Sequence, residues 1–212
     1  MKEDFTKIVF VIDRSGSMAS KINDVVGGFN SFVEKQKKEP GTATLTTVIF
    51  DDKYEILHNN VPLNEVKPIT REDVAARGST ALLDAVGKTI NSVGAQLRDT
   101  PEAERPAKVI FIIQTDGYEN QSSEFTQPMI QEMIKHQSEK YNWHFLFFGE
   151  NMDAAQVGGG IGISAANSYA YRNTKSMYNV VTSCVSDIRN STDSANVVSS
   201  KNSKIQTAIL AE

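Results

Sequence analysis

The chain has 212 residues, 40% of them hydrophobic and 23% charged, and its net charge is −4 at pH 7. This length and composition fit one globular domain that buries a sizeable core. Its 22 Lys and Arg residues are scattered among 26 Asp and Glu, which argues against nucleic-acid binding because phosphate backbones require a concentrated positive surface.

The first predicted element is an apolar run over residues 8–12 that ends at Asp13 and has no small-residue cleavage site after it. We therefore interpret it as a strand and not as a signal peptide. No apolar stretch approaches the ~20 residues that a membrane span needs. The single cysteine, Cys184, cannot form a disulfide within the chain, and a lone thiol is typical of a reducing compartment. We expect a cytoplasmic protein that does not enter a membrane.

Strand-like and helix-like segments then alternate along the chain. Runs of β-branched and aromatic residues predict strands, and apolar residues at helical spacing predict helices. The predicted strands cover residues 8–12, 44–50, 53–57, 109–113, 143–148 and 168–171. The predicted helices carry apolar faces over residues 22–33, 82–97, 129–134 and 177–188, and Thr126 is placed to cap the third.

This alternation indicates the doubly wound α/β class, an open and mostly parallel sheet with helices on both faces. Ligands of this class bind outside the carboxyl ends of the strands, where the strand order reverses. Beyond about residue 190 the composition turns to Ser, Asn, Thr and Ala with little periodicity. We expect one domain over residues 1–190 and a tail or docked extension over residues 191–212.

Three segments place oxygen-bearing side chains just after a predicted strand or at the start of a predicted helix: D-R-S-G-S at 13–17, G-S-T at 78–80 and T-D-G at 115–117. Each segment alone is typical of a turn or a helix cap, but all three fall at one predicted edge of the sheet. Carboxylate and hydroxyl oxygens are hard ligands that suit Mg²⁺ or Mn²⁺, whereas zinc favours His or Cys. The sequence predicts a single divalent-metal site formed by Asp13, Ser15, Ser17, Thr80 and Asp116.

D-x-S-x-S at 13–17, G-S-T-A-L at 78–82 and T-D-G at 115–117, in this order, resemble the metal ion-dependent adhesion site of von Willebrand factor A domains. The resemblance covers roughly residues 5–190. It implies a Rossmann-like sheet of six strands, one of them an antiparallel edge. Ser15, Ser17 and Thr80 would be hydroxyl ligands, and Asp13 and Asp116 would bind the metal directly or through water.

The resemblance further implies a non-enzymatic function in which the Asp or Glu carboxylate of a protein partner completes the coordination of Mg²⁺. We expect Arg14, Arg77, Tyr118 and Glu119 at the rim of the site, where they would affect partner choice. The alternative for each of them is an ordinary solvated loop residue. The same two interpretations apply to Asn120, Glu150 and Asn151.

Two other kinds of site are disfavoured. A Ser-His-Asp hydrolase would need a G-x-S-x-G turn, which is absent, and His58, His136 and His144 lie away from the predicted rim loops. Residues 160–165, G-I-G-I-S-A, formally match a dinucleotide-binding fingerprint, but no strand leads directly into the glycines. We expect a flexible loop there.

Two alternatives to a metal-dependent binding module stay open. The first is a phosphotransfer enzyme, such as a phosphatase, that uses Asp13 as nucleophile beside Mg²⁺. Against it, such enzymes need a further acid or base and a cation for the phosphoryl group, and the positions next to Asp13 hold Ser15 and Ser17. The second is a structural scaffold whose metal never contacts a partner.

Overall fold

A computed structural model describes residues 1–191 of the chain; the expected tail therefore lies outside the described residues, apart from residue 191. The strands are β1 (Lys2–Asp13), β2 (Thr42–Phe50), β3 (Tyr54–Pro62), β4 (Pro106–Thr115), β5 (His144–Glu150) and β6 (Ser168–Tyr171). The α-helices are α1 (Ile22–Gln36), α2 (Leu82–Asp99), α3 (Gln127–Tyr141), α4 (Ala154–Gly160) and α5 (Thr174–Asn190). A short 3₁₀ helix, Gly16–Lys21, leads from β1 into α1.

The six strands form one sheet in the order β3-β2-β1-β4-β5-β6. All neighbouring strands are parallel except β2 and β3, which are antiparallel. The chain moves from β1 outward to β2 and β3 on one side and then crosses to β4 on the other side. The strand order therefore reverses between β1 and β4, and the prediction of a doubly wound, mostly parallel sheet with an antiparallel edge is confirmed.

Alternating side chains of the central strand point into two separate cores. Ile8, Phe10 and Ile12 pack with α1 and α5 on one face, while Val9 and Val11 pack with α2, α3 and α4 on the other. Both sets are fully buried, which explains the unbroken apolar run at residues 8–12: a strand covered by helices on both faces has no solvent side.

The structure differs from the predicted elements in the segment after β5. Glycine is a poor helix former, so the glycines at 158–160 did not suggest the helix α4 that they close. Gly158 faces Ser168 so closely that a Cβ there would lie 2.3 Å from the Ser168 hydroxyl. Ile161 and Ile163, expected in a flexible loop, are instead buried in the core. The close packing of this segment against β6 therefore makes it a helix followed by a buried turn instead of a flexible loop.

Other boundaries shift less. β1 starts at Lys2, well before residue 8, and β3 continues to Pro62. Thr126 does occupy the N-cap of α3, but its side chain makes no capping hydrogen bond. Cys184 is buried on α5. Within residues 1–191, no helix combines the length and apolar character that a bilayer crossing requires.

Candidate metal centre

Most of the predicted site residues lie at or just past the carboxyl ends of β1 and β4, the two neighbouring strands between which the strand order reverses, while Thr80 lies in the loop before α2. Asp13 is the last residue of β1, and Thr115, the last residue of β4, directly precedes Asp116. Open α/β sheets bind ligands at this position because the loops that follow the two strands diverge and leave a crevice between them.

Asp13 is held by two short hydrogen bonds. Its Oδ1 accepts one from the Ser15 amide at 2.6 Å, and its Oδ2 accepts one from the Thr115 hydroxyl at 2.6 Å. The residue is only 1% exposed. Burial raises the pKa of Asp13, hydrogen bonds from Thr115 and Ser15 partly offset this, and the nearby Asp116 charge adds to it. A cation at this point would relieve that electrostatic penalty.

Ser15, Ser17 and Asp116 form a continuous polar row beside Asp13. The Ser15 and Ser17 hydroxyl oxygens are 3.2 Å apart, and the Ser17 hydroxyl donates to Asp116 Oδ1 at 2.6 Å. Between the two serines, the Gly16 amide donates to the Gly78 carbonyl at 3.2 Å, which joins this turn to the loop that precedes Thr80. The two hydroxyls thus face one point, as the spacing of residues 13–17 predicted.

Thr80, in the loop before α2, is buried and lies against Gly117, next to Asp116. Its backbone is clamped by Asn120: the Thr80 amide donates to Asn120 Oδ1 at 2.9 Å, and the Asn120 amide donates to the Thr80 carbonyl at 3.1 Å. Gly117 packs against the threonine hydroxyl, because a Cβ at this glycine would lie 2.9 Å from Thr80 Oγ1. Asn120 therefore positions Thr80, a role that its loop position did not reveal.

The structure brings Asp13, Ser15, Ser17 and Asp116 into one hydrogen-bonded group and places Thr80 beside it. Across residues 1–191 there is no cluster of three or more His, Cys, Asp or Glu side chains suited to a metal, so any metal here would depend on hydroxyl oxygens as well as carboxylates. Two carboxylates and three hydroxyls form a hard donor set that fits Mg²⁺ or Mn²⁺. An ammonium group lies against Asp116 in this structure.

That ammonium belongs to Lys21, a residue that the sequence did not connect with the site. Lys21 Nζ lies 2.6 Å from Asp116 Oδ2 and 3.2 Å from Glu150 Oε1. Burial lowers the pKa of Lys21, but hydrogen bonds and charges from Asp116 and Glu150 outweigh it and raise the pKa overall. For Glu150, burial raises the pKa and Lys21 opposes the rise. Glu150 ends β5, and this strand-end position was the signal available in the sequence.

The rim differs from the expectation. Arg14 is only 3% exposed, and its guanidinium pairs with buried Asp51 at 3.1 Å and with Glu55 at 2.5 Å. The expectation of Arg14 as an accessible rim residue is therefore wrong, because two acidic partners hold it inside. Arg77 pairs with the same two carboxylates, with its Nε 2.7 Å from Asp51 Oδ2, but its side chain remains about half exposed.

Glu119 also has a structural role. Its carboxylate accepts hydrogen bonds from the Leu83 amide at 2.9 Å and from the Gln121 and Ser122 amides at 2.8 and 2.7 Å. These contacts fasten the loop after β4 onto the start of α2. Tyr118, by contrast, is 62% exposed beside Gly117.

The three histidines lie on elements away from this group. His58 of β3 stacks on Phe29, with ring centroids 6.2 Å apart. His136 packs edge-on against Tyr141. His144 begins β5, at the opposite end of the strand from Glu150. None of them is placed to act as a base for Ser15 or Ser17.

Solved structures resemble this fold, at sequence identities too low to show more than a shared fold. Proximal thread matrix protein 1 from the mussel byssus matches with a TM-score of 0.58 and 15% identity over 86% of this chain and 45% of its own. A further structure of that protein, with a zinc-occupied metal ion-dependent adhesion site motif, gives a TM-score of 0.57, 15% identity and coverages of 86% and 46%. A mutant of the PilB minor pilin from Streptococcus sanguinis matches with a TM-score of 0.59 and 12% identity over 87% of this chain and 62% of its own. The chain thus spans less than two thirds of each of these proteins.

No curated protein matches the chain at a significant level. The sequence model of the von Willebrand factor type A domain, however, matches residues 7–182. This match covers well over half of the chain, and the sheet found here agrees with the six-stranded fold that the motifs implied. The protein therefore belongs to the von Willebrand factor type A domain family.

Proposed function

We propose that this protein is a non-enzymatic binding module that uses a divalent metal to hold the Asp or Glu carboxylate of a protein partner. Asp13, Ser15, Ser17, Thr80 and Asp116 would hold the metal. The observation that carries the proposal is the meeting of three loops where the strand order reverses: hydrogen bonds join Ser15, Ser17 and Asp116, and the third loop, which carries Thr80, packs against Gly117 and accepts a hydrogen bond from the Gly16 amide.

Charge supports a metal at this point. Asp13 is 1% exposed, and the side chains of Asp116 and Glu150 are 1% and 5% exposed, with Lys21 as the cation that contacts two of these three carboxylates. Buried carboxylates that outnumber their cationic partners are costly unless a cation joins them. The donor set favours Mg²⁺ or Mn²⁺; because the mussel protein carries zinc in the corresponding kind of motif, zinc belongs among the metals tested.

The surroundings of the site support a protein partner. Ser17 and Tyr118 are exposed beside Asp116, and Arg77 exposes about half of its side chain. Tyrosine and arginine are enriched among the residues that dominate binding energies at interfaces. A metal-bound carboxylate would fix one contact, and a standard interface of about 800 Å² per partner would cover these residues. We also propose a cytoplasmic location, which a single buried thiol supports.

The structure bears on the phosphotransfer alternative in two ways. Lys21 supplies a cation near Asp116 that the sequence had not suggested, which favours this alternative. Both oxygens of Asp13, however, accept hydrogen bonds, and the residue is almost completely buried, so its carboxylate is poorly placed to attack a phosphoryl group. Hydrolysis of a phosphomonoester with Mg²⁺ that disappears in Asp13→Asn would replace the binding proposal with an enzymatic one.

The binding proposal is tested in two stages. Calorimetric titration with Mg²⁺, Mn²⁺ and Zn²⁺ should show one site that the Asp13→Ala/Asp116→Ala variant lacks. Affinity capture from a native extract should then recover a partner with wild type in Mg²⁺, but not after chelation and not with Ser15→Ala/Ser17→Ala. Ser20→Ala/Ser79→Ala is a matched control because it removes two neighbouring hydroxyls outside the predicted ligand set. A partner retained equally by all samples would show that recognition bypasses the metal.

A further inference from the structure

Lys21 lies between two buried carboxylates, Asp116, which follows β4, and Glu150, which ends β5. Its ammonium lies 2.6 Å from Asp116 Oδ2 and 3.2 Å from Glu150 Oε1. The Asp116 and Glu150 side chains are 1% and 5% exposed, while the Lys21 side chain keeps 22% of its surface exposed. The lysine is thus tied to the site by its charged end, and it is the last residue of the 3₁₀ helix that leads into α1.

The charges of this group indicate what the lysine does. Asp13, Asp116 and Glu150 carry three negative charges when ionised, and Lys21 carries one positive charge. A divalent cation between Asp13 and Asp116 would leave Glu150 as the one carboxylate without a balancing charge. Lys21 already touches Glu150, so it can neutralise this residue without leaving the site.

We propose that Lys21 is an internal counter-ion that competes with the divalent cation for Asp116 and remains on Glu150 when that cation binds. This inference rests on the proposed metal site. It assigns Lys21 and Glu150 a joint role in setting metal affinity: Lys21 weakens metal binding by occupying Asp116, and Glu150 limits this competition by offering Lys21 another partner.

Replacing Lys21 with methionine should therefore tighten metal binding. We expect the Kd for Mg²⁺ or Mn²⁺, measured by calorimetric titration, to fall by about tenfold or more, since like charges a few ångströms apart in a partly buried site interact strongly. Lys88→Met is the matched control. Lys88 also forms an ion pair, with Glu124 at 2.7 Å, but both side chains are more exposed, and its removal should change the Kd by no more than about twofold because solvent and salt screen it.

Glu150→Gln distinguishes two ways in which Lys21 could weaken metal binding: by the field of its charge alone, or by competing with the metal for Asp116. If Lys21 acts only through its field, Lys21→Met should change the Kd by the same factor with and without Glu150→Gln. If Lys21 competes for Asp116, the factor should be larger in the Glu150→Gln background, because the displaced lysine then has no carboxylate to receive it. The four proteins of this cycle isolate that coupling. Lys21→Gln serves as a second neutral variant if Lys21→Met does not fold, as judged by circular dichroism.

The outcomes separate this inference from the proposed function. A larger factor in the Glu150→Gln background supports the counter-ion role, as does metal binding that becomes measurable only in Lys21→Met. Equal factors in both backgrounds, or a Lys21→Met effect no larger than that of Lys88→Met, would overturn the counter-ion role and leave the metal site intact. An absence of metal binding in every variant would remove both the site and the inference.

Discussion

The hydroxyl of Thr115 donates a hydrogen bond to Oδ2 of Asp13 at 2.6 Å and so joins the ends of the two central strands. The same hydroxyl accepts a hydrogen bond from the Gly117 amide at 3.1 Å, which ties it to the turn that carries Asp116. One buried side chain thereby fixes the relative position of the two carboxylates of the candidate metal centre.

Thr115→Val keeps the shape of the side chain and removes this hydrogen bond. We expect the free energy of unfolding, measured by urea denaturation, to fall by about 1–3 kcal/mol, because a buried Asp13 oxygen loses its partner. Metal affinity should also weaken. Thr126→Val is the control, since the Thr126 side chain makes no capping hydrogen bond. Equal stabilities of the two variants would show that the Thr115 contact contributes little.

Gly117→Ala tests the close approach to Thr80. The new Cβ would lie 2.9 Å from Thr80 Oγ1, so the threonine hydroxyl must shift. We expect metal affinity in calorimetric titration to fall by about 10–100-fold, the effect typical of disturbed ligand positions, while the fold persists. Gly94→Ala is the control, because its Cβ meets nothing within 4 Å and should stabilise α2 by about 1 kcal/mol. Unchanged affinity in Gly117→Ala would argue against Thr80 as a ligand.

Metal should stabilise the protein, and more so at neutral than at acid pH. The pKa of Asp13 is raised, chiefly by burial, so protonation stabilises the metal-free fold at low pH, and this contribution is lost as pH rises through the raised value. Saturating Mg²⁺ should increase the Tm, because a ligand that binds only the folded state stabilises it. At a Mg²⁺ concentration of 100 times Kd the free energy of unfolding should rise by about 2.7 kcal/mol. The increase should be larger near pH 7 than near pH 4.5. A Tm that does not respond at millimolar Mg²⁺ would show that the candidate site does not bind this metal and would count against the binding proposal.

Lys7, in the middle of β1, provides a separate test of pH dependence. It is 2% exposed, and its ammonium donates to Asn60 Oδ1 at 2.5 Å and Gln96 Oε1 at 3.0 Å. Burial lowers its pKa from 10.5 to about 8. Its charged form therefore destabilises the fold below about pH 8, and this cost fades as pH rises toward 10.5.

Lys7→Met should remove this dependence. We expect the stability difference between wild type and Lys7→Met to change by on the order of 3 kcal/mol between neutral pH and the pKa of an unfolded lysine, with wild type gaining as pH rises. Urea denaturation across this range measures the difference, and Lys53→Met, which removes an exposed lysine, controls for net charge. If the free energies of unfolding of wild type and Lys7→Met change in parallel with pH, the pKa of Lys7 is not lowered in the folded protein.

The sequence by itself determined the class of fold and the composition of the candidate site. Residues 8–12 are β-branched or aromatic, with no polar side chain among them, a pattern that predicts a strand covered on both faces, and the structure buries all five. Asp13, Ser15 and Ser17 lie within five consecutive residues, so their common orientation depends on the local geometry of one turn, in which the Ser15 amide donates to Asp13 and the two serine hydroxyls lie 3.2 Å apart. Asp116 could be predicted as part of the same site because the carboxyl ends of neighbouring parallel strands lie at one edge of a sheet.

Only the tertiary structure decided which other charged and polar groups reach that edge. Lys21 meets Asp116 across a separation of 95 positions in the chain, and nothing in its own segment distinguishes it from a solvated lysine. Arg14 stands between two site residues in the sequence, yet Asp51 and Glu55 hold it inside the protein. Such contacts depend on how loops from different strands pack together. The sequence therefore predicted which side chains present oxygen atoms at the candidate metal centre. Tertiary packing alone placed the Lys21 ammonium against one of its carboxylates.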